Sequence, residues 1–186
     1  MGITQSTPNN KSKDKTKEII KQIEELTERR INNILFDSYY DNWNKNTSVF
    51  DQRLMNKENI IIIIEDSDGN KFGGYVNSKI DEVGHYIKDS HSFLFSLESK
   101  GRMKRMKKFD IIEQEYAFWL DNQSSDGLFS FGCGLIGNRC DIYVYKDNDK
   151  TLSFCKQNSF KYEGISKALC GKELFTTKRI IVIEMK

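Results

Sequence analysis

The spacing of hydrophobic positions changes character along the chain. Ile19, Ile20, Ile23, Leu26, Ile31 and Ile34 recur at steps near three and four, with Lys, Glu and Arg between them. That spacing predicts an amphipathic helix over residues 17–35. Glu18, Glu24, Glu25 and Glu28 alternate with Lys21, Arg29 and Arg30, which suits its solvated face. The apolar stripe either packs on the domain that follows or forms a short coiled coil. The second reading implies a weak homodimer through residues 19–34, although the stripe covers barely two heptads.

Past Leu35 the pattern turns to β. Ile60–Glu65 is a β-branched run, Ser67-Asp68-Gly69-Asn70 is a hairpin turn, and Lys71–Val76 is the return strand. A second hairpin is predicted from Cys140–Lys146, the turn Asp147-Asn148-Asp149, and Thr151–Cys155. Tyr116–Asp121 and Leu128–Phe131 flank another polar turn, and Ser90–Leu97 and Arg179–Met185 read as further strands. Strands joined by tight turns form antiparallel sheets. The expected fold is α+β and β-rich: a two-layer antiparallel β-sandwich edged by helices and preceded by the amphipathic helix.

Composition adds boundaries. Residues 1–16 hold the only proline and are otherwise mostly polar, so a flexible basic tail is expected there, then the helix over 17–35, then one domain over 36–186. A hydrophobic fraction of 38% is enough for one core, which excludes global disorder. A net charge of +2, from 29 basic and 27 acidic residues, excludes a bulk polyelectrolyte role on nucleic acid. The longest apolar run, Ile60–Ile64, is far short of a membrane span, and no secretory h-region is found near the start. Cys133, Cys140, Cys155 and Cys170 form no C-x-x-C pair and have no His at zinc-site spacing. They read as reduced thiols of an intracellular, cytoplasmic protein.

Candidate chemistry is sparse. Gly132-Cys133-Gly134-Leu135-Ile136-Gly137 matches G-x-G-x-x-G, but a strand rather than a helix follows, so the dinucleotide context fails. Asp66-Ser67-Asp68-Gly69-Asn70 resembles part of a calcium loop, yet its first and twelfth positions fall on Ile64 and Tyr75, which carry no carboxylate. Nothing around His85 or His91 marks a nucleophile pair. No catalytic residue, metal site or cofactor is therefore proposed. Thiol or peroxide chemistry at a cysteine is the residual enzymatic alternative. Lys100, Arg102, Lys104, Arg105, Lys107 and Lys108 form the densest basic run. It reads as a solvated loop or as an anion- or partner-binding surface, and it motivates the alternative of a nucleic-acid-binding regulator. It has no interleaved aromatics for base stacking.

The start, Met1-Gly2-Ile3-Thr4-Gln5-Ser6, fits M-G-x-x-x-[ST], with Gly2 as myristate acceptor. A single myristoyl chain binds membranes only marginally, and Lys11, Lys13, Lys15 and Lys17 would supply the second, electrostatic signal. A site on the cytosolic face of a membrane is the expectation.

Several segments together resemble one known family. Phe72-Gly73-Gly74-Tyr75 follows a strand and a turn. Asp89-Ser90-His91-Ser92-Phe93-Leu94-Phe95-Ser96-Leu97 comes about fifteen residues later. Phe131-Gly132-Cys133-Gly134 then leads into Asp141-Ile142-Tyr143-Val144, and Leu169-Cys170-Gly171 precedes the last strand. Upstream, Leu35-Phe36-Asp37-Ser38, Asp41-Asn42-Trp43 and Phe50 look like its entry segment. This order resembles a TLDc domain over roughly residues 31–186, although Asn77-Ser78-Lys79 stand where the family often has a tryptophan. The resemblance implies two packed antiparallel sheets, an interaction module without an established active site, a link to oxidative-stress resistance, and a protein partner in the vacuolar proton-pumping ATPase. Phe72, Gly73, Gly74, Tyr75, Phe93, Phe95, Gly132, Gly134 and Asp141 would be its structural signature.

Overall fold

The computed structural model describes residues 8–134 and 139–186, with residues 8–16 described by their backbone. Helix α1 runs Pro8–Thr27. Proline is tolerated in a first turn because its missing N–H would be unpaired there anyway. The helix stops before Glu28, whose φ is +55°. The chain then enters β1 (Ile31–Asp37) rather than continuing to residue 35 as a helix. Ile31 and Ile34 thus leave the predicted helical stripe. β-Branched and aromatic residues suit a pleated surface, and the last strand offers a free edge to pair with. The predicted tail is likewise helical from Pro8 onward.

The remaining elements are α2 (Phe50–Leu54), β2 (Ile60–Asp66), β3 (Lys71–Val76), β4 (Tyr86–Ile87), β5 (Phe93–Glu98), β6 (Lys107–Asp110), β7 (Phe118–Leu120), β8 (Gly127–Phe131), β9 (Ile142–Tyr145) and β10 (Thr177–Met185). Two short 3-10 turns lie at Gln114–Tyr116 and Asp147–Leu152. Every strand pair is antiparallel. A six-stranded sheet has the order β1-β10-β2-β3-β5-β6, and a four-stranded sheet has the order β4-β7-β8-β9. The fold is the expected β-rich sandwich.

The isoleucine run of β2 shows how the layers stack. Ile60, Ile62 and Ile64 join the core between the sheets, with Phe36, Phe50, Phe129 and Phe131. Ile61 and Ile63 point the other way, into a second cluster with Ile23 of α1, Tyr75, Phe95 and Ile183. A strand covered on both faces reads as a continuous apolar run instead of an alternating one. Helix α1 is the cover. Ile23 is 1% exposed against the sheet, and its burial contributes roughly 2 kcal/mol. Ile23, with Ile19 and Leu26 beside it, thus packs the α1 stripe against the chain's own sheet.

The second predicted hairpin is shorter than its sequence suggests. After β9 the chain coils through the Asp147–Leu152 turn; Phe154 returns to pair with Tyr143, with N–H···O distances of 2.9 and 3.0 Å, and the Lys156 N–H bonds the Cys140 carbonyl at 3.0 Å. Lys150 bonds Asp147 at 2.6 Å and favours the coiled turn over a tight hairpin.

Candidate functional site

The residues of the family signature fill structural positions. A Cβ on Gly73 would stand 1.9 Å from the Ile62 carbonyl oxygen, and one on Gly74 would stand 2.5 Å from the Phe131 ring. These glycines let β3 pass against β2 and beneath the second sheet. Phe72 packs in the inter-sheet core; Tyr75, Phe93 and Phe95 pack under α1.

Asp141 is a fully buried polar anchor of the second sheet. Oδ1 accepts the Asn158 N–H at 3.0 Å, and Oδ2 accepts the Ser159 N–H at 2.7 Å. Gly132, at φ +64°, leaves room for it, since a Cβ there would lie 2.1 Å from Oδ2. Asn158 Nδ2 donates to the Gly132 carbonyl at 3.1 Å, and the Ser159 hydroxyl lies 3.0 Å from Glu113 Oε2. Burial pushes the Asp141 carboxyl up to about 7, against the backbone N–H donors that pull it down. With both oxygens engaged by backbone, this carboxyl staples the 158–159 loop to the four-stranded sheet and leaves no open position for a substrate.

A buried lysine, not anticipated from the sequence, holds the same sheet at its other end. Lys146 is 2% exposed, and its ammonium donates to the carbonyls of Asn122 (2.9 Å), Ser125 (2.5 Å) and Gly127 (2.7 Å). It pins the turn between β7 and β8. Nothing in Tyr145-Lys146-Asp147 distinguishes it in sequence from the other surface-type lysines.

The cysteines depart from expectation. Cys133 and Cys140 form a disulfide, with Cα atoms 3.8 Å apart. Positive φ at Gly132 and Gly134 turns the chain after β8, and the two cysteines close across that turn. Cys133 and Cys140 are thus not the reduced thiols that the sequence predicts. Cys155 and Cys170 are free thiols. Burial drives Cys155 well above the usual thiol range, and a hydrogen bond from Cys155 holds Cys170 below it. Leu135, Ile136 and Gly137 of the glycine motif lie outside the described residues.

The basic run does not form one stripe. Arg102 reaches Asn70 Oδ1 (3.0 Å) and the Leu169 carbonyl (2.7 Å), tying the β2–β3 turn to the loop before β10. Lys107 and Lys108 lie on edge strand β6. Lys108 pairs with Asp110 at 3.1 Å and stands 4.5 Å over the Phe93 ring; Lys107 approaches Glu163 at 3.9 Å. Lysines on an edge strand discourage pairing with another sheet. Lys104 and Arg105 are exposed, and so is Lys100 beside Gly69. His91 Nδ1 meets Ser90 Oγ at 3.1 Å, while Asp89 accepts the His91 backbone N–H rather than its ring. The three residues are therefore a turn, not a relay. Among the described residues no group of three or more His, Cys, Asp or Glu could hold a metal ion.

A groove remains open where α1 crosses the six-stranded sheet. It encloses about 510 Å³, and eight of its eleven lining residues are isoleucines from α1, β1, β2 and β10. Two of them, Ile20 and Ile34, are 39% and 65% exposed. The other three are Glu65, Lys71 and Arg179, each already paired. Lys178 bonds Glu65 at 2.6 Å, Lys71 bonds Glu98 at 2.8 Å, and Arg179 grips Asp37 at 3.0 and 2.6 Å. The Arg179 guanidinium holds the Asp37 carboxyl below its ordinary value. This groove was illegible in the sequence because Ile20 and Ile34 belong to different elements.

Gly2 lies outside the described residues. Lys17 is exposed; positions 11 and 15 share one face of α1, and 13 and 17 another, at ~3.6 residues per turn. Among the described residues no helix is long and apolar enough to cross a membrane.

Two stacked antiparallel sheets, an outer helix, and signature residues whose polar groups are spent on the fold define a β-sandwich module. The TLDc domain family matches residues 9–184, from within α1 to within β10, and the chain belongs to that family. The family's role is related to oxidation resistance, and its domains are in general non-catalytic interaction modules. No curated protein matches the chain.

Proposed function

We propose that this protein is a non-enzymatic TLDc interaction and regulatory module, working at the cytosolic face of a membrane, that binds a vacuolar-type proton-pumping ATPase in the oxidative-stress response. The observation that carries the reading is the family match across residues 9–184. The bonding of Asp141 and the close packing at Gly73 and Gly74 support it, because the signature residues serve the fold and leave its surface to do the work.

Membrane recruitment rests on Gly2 and on the lysines of the first helix. A myristoyl chain alone gives an association constant of about 10⁴ M⁻¹, so the lysines of the helix complete the anchor, Lys11 with Lys15 on one face or Lys13 with Lys17 on the other. Each lysine near an anionic leaflet contributes on the order of 1 kcal/mol.

The test compares the tagged chain with its Gly2→Ala variant in the native cell type, by membrane fractionation and by pull-down from solubilised membranes. Wild type is expected in the membrane fraction with pump subunits, and the variant in the soluble fraction. Pump subunits missing from the wild-type pull-down would retire the pump clause. Equal membrane content of both forms, or native protein whose mass spectrum shows Gly2 without a C14 acyl group, would retire the recruitment clause.

A further inference from the structure

We infer that the isoleucine groove between α1 and the six-stranded sheet is the resting place of the protein's own N-terminal acyl chain, so that the myristoyl group on Gly2 exchanges between this groove and the membrane. The inference rests on the reading of Gly2 as a myristate acceptor.

Three observations select this occupant. The first is chemical. Small-molecule sites carry a few placed polar groups that fix orientation, and here each polar group of the lining already has its partner. A free fatty acid would bring a carboxylate, and the two cations of the described lining, Lys71 and Arg179, are already paired. A peptide would bring backbone donors and acceptors to a wall of isoleucine side chains. An amide-linked alkyl chain brings neither. The second is size. A volume of about 510 Å³ lies within the ~300–1,000 Å³ of small-ligand sites.

The third is reach. From Pro8 to Ile19, the first helical residue to line the groove, α1 rises about 16 Å at ~1.5 Å per residue. The six residue steps from Gly2 to Pro8 span up to about 20 Å when extended, at ~3.3–3.6 Å each. The chain before the helix is long enough to double back and deliver an acyl group to the groove mouth beside Ile19 and Ile20. Chain length and groove position agree without any change to the sandwich.

The exchange follows from the contacts. With the acyl chain in the groove, Ile20 and Ile34 are covered. With it in a bilayer, they face solvent at the exposure seen here. Whatever fraction of molecules holds the chain in the groove is unavailable to the membrane, and the apparent membrane affinity falls by that fraction.

The full chain is co-expressed with an N-myristoyltransferase, using myristate labelled with ¹³C at its terminal methyl and protein labelled at the isoleucine methyls. Nuclear Overhauser cross-peaks are expected from the acyl methyl to Ile20, Ile34 and Ile181. In parallel, the acylated wild type and its Ile34→Glu variant are floated with pure phosphatidylcholine vesicles, which removes electrostatic attraction. Ile34 is largely exposed, so the variant should fold, and thermal melting confirms that it does. A carboxylate in the groove expels the alkyl chain. If one molecule in ten exposes it in the wild type, vesicle affinity rises about tenfold.

An acylated protein with no such cross-peaks, or with equal vesicle binding by wild type and variant, overturns the groove proposal and leaves recruitment standing. Cross-peaks that appear only between differently labelled copies also overturn it, since a second chain then fills the groove. A Gly2 that the transferase leaves bare overturns recruitment and groove together.

Discussion

The buried Asp141 carboxyl makes the stability of the protein depend on pH in an unusual direction. In the unfolded chain it ionises near its ordinary value of 3.8; in the sandwich burial pushes that to about 7. Between those values the folded state retains a proton that the unfolded state has lost, so raising the pH favours unfolding. The contribution is fully present below pH 3.8 and is lost as pH rises through 7. One proton corresponds to about 1.4 kcal/mol per pH unit, so Asp141 alone should remove about 2–3 kcal/mol of stability between pH 5 and pH 7. For a chain of this length that is roughly 4–12 °C in Tm. Asp37 and Glu184 are shifted the other way by Arg179 and Lys57, and their effects fall at more acidic pH. Asp121 is raised by burial and adds to the same slope, so the decisive comparison is with Asp141→Asn. The amide cannot ionise, and its nitrogen cannot accept the second backbone N–H, so the variant should be less stable at pH 5 and have a shallower slope. Urea midpoints at half-unit steps from pH 4.5 to 8 measure both. An Asp141→Asn variant with the wild-type slope would refute the assignment of the buried proton to this residue.

Lys146→Met removes a buried ammonium from three carbonyls. It should cost about 3 kcal/mol, read as a Tm lowered by roughly 6–12 °C; a change below 2 °C would mean the carbonyl cage is not formed. Arg102→Ala should destabilise by about 1–3 kcal/mol through the Asn70 and Leu169 bonds, while Arg105→Ala stays within about 0.5 kcal/mol, both by urea denaturation. Thiol titration of the denatured, unreduced protein should find two reactive thiols, Cys155 and Cys170, rising to four after reduction; four at the outset would exclude the Cys133–Cys140 bond.

Local chemistry made much of the fold legible. The β-branched run at 60–65, the Ser67–Asn70 turn, the Phe118–Phe131 hairpin and the last strand are all strong short-range signals, and the structure contains each of them. The end of α1 was not legible, because Ile31 and Ile34 fit a helical stripe as well as a strand. The pairing of β1 with β10, some 150 residues away, settles the choice. The basic run looked uniform because sequence shows charge but not partners; Arg102, Lys107 and Lys108 find theirs on distant segments or on their own strand.

By itself, then, the sequence determined the antiparallel character of the sheets, the signature residues, and the family to which the chain is similar. These depend on residue type and short-range spacing, which a linear chain displays directly. Only the tertiary structure decided that α1 covers the outer face of a sheet and leaves an isoleucine groove beside it, that Asp141 and Lys146 are buried among backbone groups, and that Cys133 meets Cys140. Each of these is a meeting of groups from different segments, fixed by the packing of two sheets and a helix.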